Sequence, residues 1–412
     1  MTVLSLATIL AEGARRYPDK VAVIDGPHRT TYRELWQEAL SYAAGLRELG
    51  VGPDDTVAVL VPNVTDFPRA YYAALAVGAR IVPVHLLLTP DEMAYVLRDS
   101  GTDLLLAHSS QLQTAVAAAH KAGVKVASVG PMPPGVPDAP PRLEEVAAAV
   151  APLRTYVTRE AEDVAVVFYT SGTTGEPKGA LLTHLNLVMN AAANAFDVNE
   201  ARSSDVIMGC LPLFHTYGQT VAMNAAFRLG ATLVLLARFT GEAAIDLMVR
   251  EKATIFHGVP TMYIALLEAA AKAETLPELR ICSSGGASLP VAVLEKFTET
   301  FHAPIFEGYG LSETSPTATT NQPAFGTRAG TIGHPVWGVE VEIARAEIEE
   351  SIELLPPGEL GELVIRGHNV FAGYLGRAED TEQALVDGWF RSGDLGRKDG
   401  DGFITIVDRK KD

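Results

Sequence analysis

The chain contains very little cysteine. Its two cysteines, Cys210 and Cys282, lie far apart in different motifs of a 412-residue sequence. A pair placed in this way excludes a disulfide framework or a CxxC metal site as the organising element of the fold. The N-terminus also lacks a basic segment followed by a long apolar run, which argues against a secretory leader. We therefore predict a reduced, cytoplasmic protein.

Long apolar runs and excess positive charge are also missing. No stretch reaches the roughly 18 uncharged apolar residues that a membrane-spanning helix requires. Lysine and arginine total 33 against 50 aspartate and glutamate, which gives a formal net charge of -17. Such an excess of negative charge repels nucleic acid unless a local basic face exists, and the sequence contains no such face. We expect neither an integral membrane segment nor a nucleic-acid partner.

What the chain does have is length and apolar content. With 412 residues, 48% of them hydrophobic, it exceeds the size of about 250 to 300 residues at which a single core stops growing. Residues 1–325 alternate amphipathic patterns with short apolar runs such as "VAVLVP", which predicts a layered α/β sheet. Residues 326–407 contain short strands with Gly/Pro turns, which predicts a small β-rich subdomain. The proline-dense stretch 131–141 predicts a surface loop.

One stretch carries a chemical signal. Residues 166–187 read "VVFYTSGTTGEPKGALLTHLNL": a buried strand, a loop of glycines and hydroxyls, then a helix for which Thr183 is the predicted N-cap. Backbone amides of such a loop can surround phosphate oxygens, and Lys178 can neutralise their charge. It is not a Walker A loop, because Pro177 stands where that motif requires glycine. From these residues alone, a solvated turn with a surface lysine is the alternative.

The segment "YTSGTTGEPKG" resembles the phosphate-loop signature of the adenylate-forming superfamily, which includes acyl-CoA synthetases, luciferases and the adenylation domains of peptide synthetases. Five further segments match in the family's order. They are "LPLFHTYG" (211–218), "SSGGASL" (283–289), "EGYGLSET" (307–314), "RSGDLG" (391–396) and "VDRKKD" (407–412). The resemblance covers essentially the whole chain, and it implies the fold of that family's large N-terminal domain: layered β-sheets flanked by helices, with a small β-rich subdomain.

The resemblance implies a two-step reaction. A carboxylate attacks the α-phosphate of ATP to give an acyl adenylate and pyrophosphate, and a thiol, usually that of coenzyme A, then displaces AMP. By resemblance, Lys178 holds the β- and γ-phosphates, Thr314 bonds the α-phosphate, and Glu313 and Thr170 bind Mg²⁺, a hard cation that prefers oxygen ligands. His215 matches a residue that borders the carboxylate pocket, and a purely structural histidine is the alternative.

The resemblance also implies a nucleotide-binding set. Tyr309 would stack on the adenine, with glycine-rich backbone on the opposite side. Asp394 would accept hydrogen bonds from the ribose hydroxyls, and Arg409 would make a second nucleotide contact. The complete set, including the phosphate loop, consists of Thr170, Ser171, Gly172, Thr173, Thr174, Gly175, Gly286, Ala287, Glu307, Gly308, Tyr309, Asp394 and Arg409.

The last residues match a hinge. In the family, the segment equivalent to residues 408–412 joins the large domain to a mobile C-terminal domain, and Lys411 aligns with the hinge position. The expectation from the resemblance is that this C-terminal domain is missing here, most simply through truncation. Nucleotide binding would then persist, and thioester formation would be severely impaired.

The acid substrate is predicted from the segments that build the family's acyl pocket. Here they are dominated by apolar and small residues, including Gly218, Ala222 and Ala225. Such a pocket favours a medium- to long-chain fatty acid, because each buried CH₂ contributes about 0.8 kcal/mol. An aryl acid also suits an apolar slot.

Two more functions stay open at the level of the sequence. One is that of an amino-acid adenylation domain, although "LPLFHTYG" lacks the aspartate that would pair with a substrate ammonium group. The second is that of a module that binds nucleotide without turnover.

Overall fold

The computed structural model describes residues 2–132, 139–170 and 175–410. Most of the predicted surface loop 131–141 therefore lies outside the described residues. So do the predicted phosphate contacts of Ser171, Gly172, Thr173 and Thr174, and the predicted hinge position at Lys411.

Helices and strands alternate over most of the chain. The helices are α1 (Thr8–Arg16), α2 (Tyr32–Glu48), α3 (Asp66–Val77), α4 (Pro90–Asp99), α5 (Leu112–Ala122), α6 (Leu143–Ala148), α7 (His184–Ala193), α8 (Ala225–Leu229), α9 (Gly241–Glu251), α10 (Pro260–Ala270), α11 (Val291–Phe301) and α12 (Ala378–Ala384). Short 3₁₀ turns cover Ser109–Gln111 and Ser312–Thr314, and π-helical geometry covers Asn194–Val198 and Tyr217–Asn224. No helix in the described ranges is both long and apolar enough to cross a membrane.

The strands follow the same order along the chain. They are β1 (Val21–Asp25), β2 (His28–Thr31), β3 (Thr56–Leu60), β4 (Arg80–Pro83), β5 (Leu104–His108), β6 (Lys125–Val129), β7 (Val164–Thr170), β8 (Lys178–Thr183), β9 (Val206–Gly209), β10 (Thr232–Leu235), β11 (Ile255–Gly258), β12 (Ile281–Ser284), β13 (Ile305–Gly310), β14 (Thr317–Thr320), β15 (His334–Pro335), β16 (Val339–Ala344), β17 (Gly361–Gly367), β18 (Leu385–Val386), β19 (Trp389–Lys398) and β20 (Ile404–Arg409).

The strands of the described residues form three sheets. The nine-stranded sheet has the order β15-β14-β13-β12-β11-β9-β10-β1-β2. The six strands in the middle of this order, from β13 to β1, run parallel to one another. The six-stranded sheet has the order β6-β5-β3-β4-β7-β8. The five-stranded sheet has the order β16-β17-β19-β18, and β20 pairs with the part of β19 from Asp394 to Lys398. This layered α/β architecture with a small β-rich part confirms the predicted fold class.

The predicted strand before Lys178 and the predicted helix after it form as the sequence indicates. Strand β7 pairs antiparallel with β8, so that Thr170 stands opposite Lys178 at the end of the hairpin where the chain passes from β7 to β8. Helix α7 begins immediately after Thr183, whose hydroxyl accepts from the Asn186 backbone N–H, while the Asn186 side chain accepts from the Thr183 N–H. The predicted N-cap is confirmed, and this reciprocal cap fixes the direction in which the chain leaves the hairpin.

Helix α3 is buried and supports one wall of a cavity that is described below. Nearly every residue of α3 is buried, including the fully buried Tyr71 and Tyr72, whose rings meet edge to face at 5.3 Å. The Tyr72 hydroxyl donates to Oδ1 of Asn224 at 2.9 Å. Asn224 is the last residue of the second π-helical segment, so this bond ties a wall of the cavity described below to the core of the molecule.

The change from the α/β sheet to the β-rich sheet lies near the boundary expected from the sequence. Strand β15, His334–Pro335, still pairs with β14 of the nine-stranded sheet, and β16, which begins at Val339, is the first strand of the five-stranded sheet. The domain division 1–325, 326–407 and 408–412 stays a prediction, because a sheet boundary does not by itself define an independently folding unit.

Candidate active site

A cavity of about 1250 Å³ lies between the nine-stranded sheet and the five-stranded sheet. It opens beside the ends of β12 and β13 and is bordered on the other side by α12, β19 and β20. Open parallel sheets bind ligands at the carboxyl ends of their strands, where loops converge. The predicted site residues that line this cavity are Thr170, Lys178, His215, Gly286, Gly308, Tyr309, Glu313, Asp394 and Arg409.

Four described members of the predicted set do not line the cavity. Ala287 and Gly175 are exposed outside it. Glu307 is 5% exposed and accepts from the Leu289 backbone N–H at 3.1 Å, and burial raises the pKa of its carboxyl group. Thr314 is fully buried, and its hydroxyl donates within its own turn, to the carbonyl oxygen of Leu311 or Pro316. In this arrangement the Thr314 hydroxyl is not presented to the cavity, and the nucleotide contacts expected of these residues stay predictions.

The side chains predicted to contact the adenine and the ribose meet at the cavity wall. The Tyr309 hydroxyl donates to Oδ2 of Asp394, and Nε of Arg409 lies 3.3 Å from Oδ1 of the same carboxylate. Asp394 stands opposite Arg409 in the β19–β20 pairing, so the register of the β-rich sheet brings these two side chains together. Burial, followed by the Asp394 charge, raises the pKa of the Tyr309 phenol, which therefore stays neutral and donates. Asp394 is thus a buried hydrogen-bond acceptor at the cavity wall.

Replacing Asp394 by alanine is expected to weaken binding of AMP and ATP about tenfold or more, because each charge-assisted hydrogen bond contributes roughly 1.5–3 kcal/mol. Calorimetric titration with both nucleotides measures the change. The control is Asp387→Ala, which removes a carboxylate from the same cavity at the turn before β19. Equal AMP affinity for the wild type and the Asp394 variant would contradict the assignment.

Lys178 and Glu313 are joined through a residue that the sequence did not reveal. Glu313 is 7% exposed, and its Oε1 accepts from the Tyr374 hydroxyl at 2.8 Å. Nζ of Lys178 lies 5.5 Å from the centroid of the same tyrosine ring and 2.6 Å from Oδ1 of Asp380. Burial raises the pKa of Glu313, an effect that hydrogen bonds, including that from Tyr374, oppose. Tyr374 therefore lies between the two charges expected to act on phosphate and metal.

The residues present fit a hard cation in part. The Glu313 carboxylate, held at the cavity wall, and the Thr170 hydroxyl, at the end of β7, are both oxygen donors of the kind that Mg²⁺ prefers. In the described ranges, no group of three or more His, Cys, Asp or Glu side chains is placed to hold a metal ion. Mg²⁺ usually keeps several waters and binds through one or two carboxylates together with substrate phosphates, which agrees with such a sparse protein set.

His215 lies at the cavity wall beside a second histidine. Its Nδ1 accepts from the Tyr217 backbone N–H at 3.2 Å, and desolvation, followed by the nearby His85, lowers its pKa. The ring is therefore neutral at neutral pH, with Nδ1 as acceptor. A neutral imidazole whose Nδ1 accepts carries its proton on Nε2, which leaves one donor to orient an entering carboxylate.

Both π-helical segments line the cavity, another feature that the sequence did not reveal. Apolar Val198 and polar Asn194 come from the first segment, and Tyr217 and Val221 come from the second. Short π-helical stretches are frequent at functional sites because the extra residue in the turn redirects side chains. Behind this wall, fully buried His257 shares a hydrogen bond of 2.6 Å with the Ser283 hydroxyl, and it does not line the cavity.

Comparisons with known proteins identify the family of the chain. The family model described as "AMP-binding enzyme" matches residues 10–375. A long-chain-fatty-acid–CoA ligase of Bacillus subtilis (strain 168) is 34% identical over 436 residues, covering 99% of this chain and 77% of that protein. A feruloyl-CoA synthase of an Amycolatopsis species is 34% identical over 403 residues, covering 97% and 77%.

A solved structure gives the same result for the fold. The crystal structure of an anthranilate CoA ligase in complex with anthranoyl-AMP superposes with a TM-score of 0.93 at 25% sequence identity, covering 100% of this chain and 79% of that one. The resemblance inferred from the six sequence segments is thereby confirmed. With a family match over most of its length and relatives at 34% identity, the chain belongs to the AMP-binding enzyme family, among relatives that are acid–CoA ligases.

Proposed function

We propose that the chain activates a monocarboxylic acid with ATP to an acyl adenylate and pyrophosphate, and that coenzyme A then accepts the acyl group with release of AMP. The observation that carries this proposal is the convergence of Lys178, Glu313, Tyr309 and Asp394 on one cavity from distant parts of the chain. The family membership and the acid–CoA ligases among the relatives support the same reaction class.

Some of these side chains position the substrates, and others stabilise negative charge. Asp394 accepts hydrogen bonds from the ribose, and Tyr309 offers its ring face to the base. Lys178 places an ammonium group where negative charge accumulates on the leaving pyrophosphate, which stabilises the transition state electrostatically. His215 orients the attacking carboxylate with an Nε2–H donor. A magnesium ion held by Glu313 and Thr170 would neutralise further phosphate charge.

For the acid itself, we propose a medium- to long-chain fatty acid as the first candidate. Val198, Val221, Phe306 and Leu311 give the cavity apolar surface beyond the nucleotide residues, and an alkyl chain gains about 0.8 kcal/mol per buried CH₂. The Bacillus subtilis relative is a long-chain-fatty-acid–CoA ligase, which supports this choice.

An aryl acid is the second candidate, and a specific observation favours it. The same region contains polar side chains that line the cavity and bond within the chain: the Thr317 hydroxyl donates to Oδ1 of Asn194 at 3.2 Å, and the Tyr217 hydroxyl lies 3.0 Å from Oγ of Ser283. A ring that carries a hydroxyl or amino substituent could bond to them. The feruloyl-CoA synthase relative and the anthranilate CoA ligase structure both bear the names of aromatic acids.

Pyrophosphate release across a panel of acids separates the two candidates. The panel runs from acetate through palmitate and adds benzoate, a hydroxylated cinnamate, malonate and phenylalanine. A specificity constant that rises with each methylene and then falls supports the fatty acid, and a maximum at an aromatic acid supports the second candidate. A maximum at malonate, phenylalanine or acetate would contradict both. No release with any acid would contradict the proposed reaction.

A variant pair locates the selectivity in the cavity. Val221→Phe adds a ring to the cavity wall and should shift the optimum to shorter or smaller acids. Val291→Phe adds the same ring at an exposed position of α11 and should leave the optimum unchanged. Equal profiles for the two variants would show that the region around Val221 does not bind the acid.

A further inference from the structure

Lys178 forms an ion pair with a carboxylate of the chain itself. Its Nζ lies 2.6 Å from Oδ1 of Asp380, a residue of α12, and both side chains are partly buried, at 27% and 33% exposure. The ring of Tyr374 lies on another side of the ammonium group, with its centroid at 5.5 Å. The cation expected to receive phosphate is therefore held in place before any nucleotide enters.

Asp380 and a phosphate group offer Lys178 the same bond. Each presents anionic oxygens that accept a charge-assisted hydrogen bond from the ammonium group. A triphosphate brought to Lys178 also comes close to the Asp380 carboxylate, and like charges at such distances repel. Binding of the β- and γ-phosphates must therefore break the ion pair or tolerate the repulsion, and both reduce the affinity for the triphosphate.

AMP does not meet this obstacle. The residues proposed to bind its base and ribose, Tyr309 and Asp394, lie on β13 and β19, whereas Lys178 lies on β8. Its single phosphate corresponds to the α-position, whereas Lys178 is assigned to the β- and γ-phosphates. The Lys178–Asp380 pair can therefore distinguish nucleotides by the number of phosphates that they carry.

We infer that Asp380 is a specificity-determining residue for the nucleotide: it competes with the β- and γ-phosphates for Lys178 and lowers the affinity of the site for ATP and pyrophosphate relative to AMP. This inference rests on the proposed function, since it requires Lys178 to bind phosphate. After the bond between the α- and β-phosphates breaks, the return of Lys178 to Asp380 favours departure of pyrophosphate. The ion pair thereby favours the release of pyrophosphate and weakens the binding of ATP.

The test is calorimetric titration of the full chain with Mg²⁺–ATP, with AMP and with pyrophosphate, in the absence of any carboxylic acid so that no reaction occurs. Asp380→Asn should bind ATP and pyrophosphate about two- to fivefold more tightly, the range expected when a partly exposed ion pair is removed. Its affinity for AMP should be unchanged. The matched control is Glu379→Gln, which removes the same charge from the next residue of α12; in the described ranges, Lys178 pairs with Asp380 and not with Glu379.

Three results would overturn the inference. These are unchanged ATP affinity for Asp380→Asn, an equal gain for Glu379→Gln, which would indicate only a general charge effect, and an equal gain for AMP. A double-mutant cycle adds a fourth condition, since the gain must disappear when Lys178 is alanine. If Lys178→Ala alone leaves ATP affinity intact, the phosphate role of Lys178 in the proposed function fails as well. If Lys178→Ala weakens ATP binding and Asp380→Asn has no effect, only the role of Asp380 fails.

Discussion

Replacing Lys178 by alanine is expected to slow ATP-dependent pyrophosphate release by on the order of 100-fold or more, because removal of one preorganised donor from a charged transition state typically has this effect. The fold should persist, since Lys178 is at the end of an edge strand and its ion pair with Asp380 is partly exposed. Steady-state rates at saturating ATP, together with a melting curve, measure both consequences.

The control for Lys178→Ala is Lys121→Ala. Lys121 also pairs with an aspartate, Asp91, at 2.5 Å, and it lies on α5 outside the cavity. Its replacement should leave the rate within a factor of about two, as expected for an exposed pair. Wild-type turnover by the Lys178 variant with a native melting curve would remove Lys178 from the reaction.

The local part of the site could be predicted from the sequence. The strand before the phosphate loop and the Thr183 cap depend on neighbouring residues, so their signals are contained in a short window. Motif matching also indicated residues that share the cavity, such as Tyr309 and Asp394, although they are separated by most of a subdomain.

The long-range part could not be predicted in this way. Tyr374 contacts Glu313 and Lys178 because its backbone pairs with that of Ala180 in β8. No local sequence pattern encodes this isolated backbone pairing. The π-helical walls were missed because amphipathic helices are recognised by a period of 3.6 residues per turn. Thr314 was assigned from its place in a motif, and the 3₁₀ turn Ser312–Thr314 directs its hydroxyl into the chain itself.

The substrate prediction shows the same limitation. Sequence segments chosen for the acyl pocket were mostly apolar, which favoured a fatty acid. The cavity also receives Asn194 from the π-helical turn after α7, which belongs to none of those segments, and the polar Thr317 from β14. Selectivity depends on which side chains from separate elements meet, so it requires the tertiary arrangement rather than the composition of individual segments.

The largest stability effect is expected at Glu362, a buried residue of the cavity wall. Glu362 is 2% exposed, and its Oε2 accepts from Nη2 of Arg391 at 2.5 Å and from Nε at 3.1 Å. Replacing Glu362 by alanine leaves the buried Arg391 charge without its carboxylate. The free energy of unfolding should fall by about 3–5 kcal/mol, the cost of breaking a buried pair from one side. Denaturant and thermal unfolding both measure it.

Two variants separate this effect from simple loss of an ion pair. Glu340→Ala removes the exposed partner of Arg366, 2.8 Å away in the same sheet, and should change the stability by only about 0–1 kcal/mol. Replacing Glu362 and Arg391 together by leucine and methionine should restore most of the lost stability, because no uncompensated charge is left. If the double variant is as unstable as Glu362→Ala, the loss arises from packing and not from a buried unpaired charge.

Replacing Glu362 by alanine should also weaken the binding of the nucleotide. Its second oxygen, Oε1, accepts from the backbone N–H of Gly393 at 3.1 Å, one residue before Asp394. Loss of this bond frees the part of β19 that presents the Asp394 carboxylate, so AMP affinity should fall severalfold at temperatures well below the melting transition. Glu340→Ala should bind AMP as the wild type does. Unchanged AMP affinity in folded Glu362→Ala would confine Glu362 to stability and leave the positioning of Asp394 to its bonds with Tyr309 and Arg409.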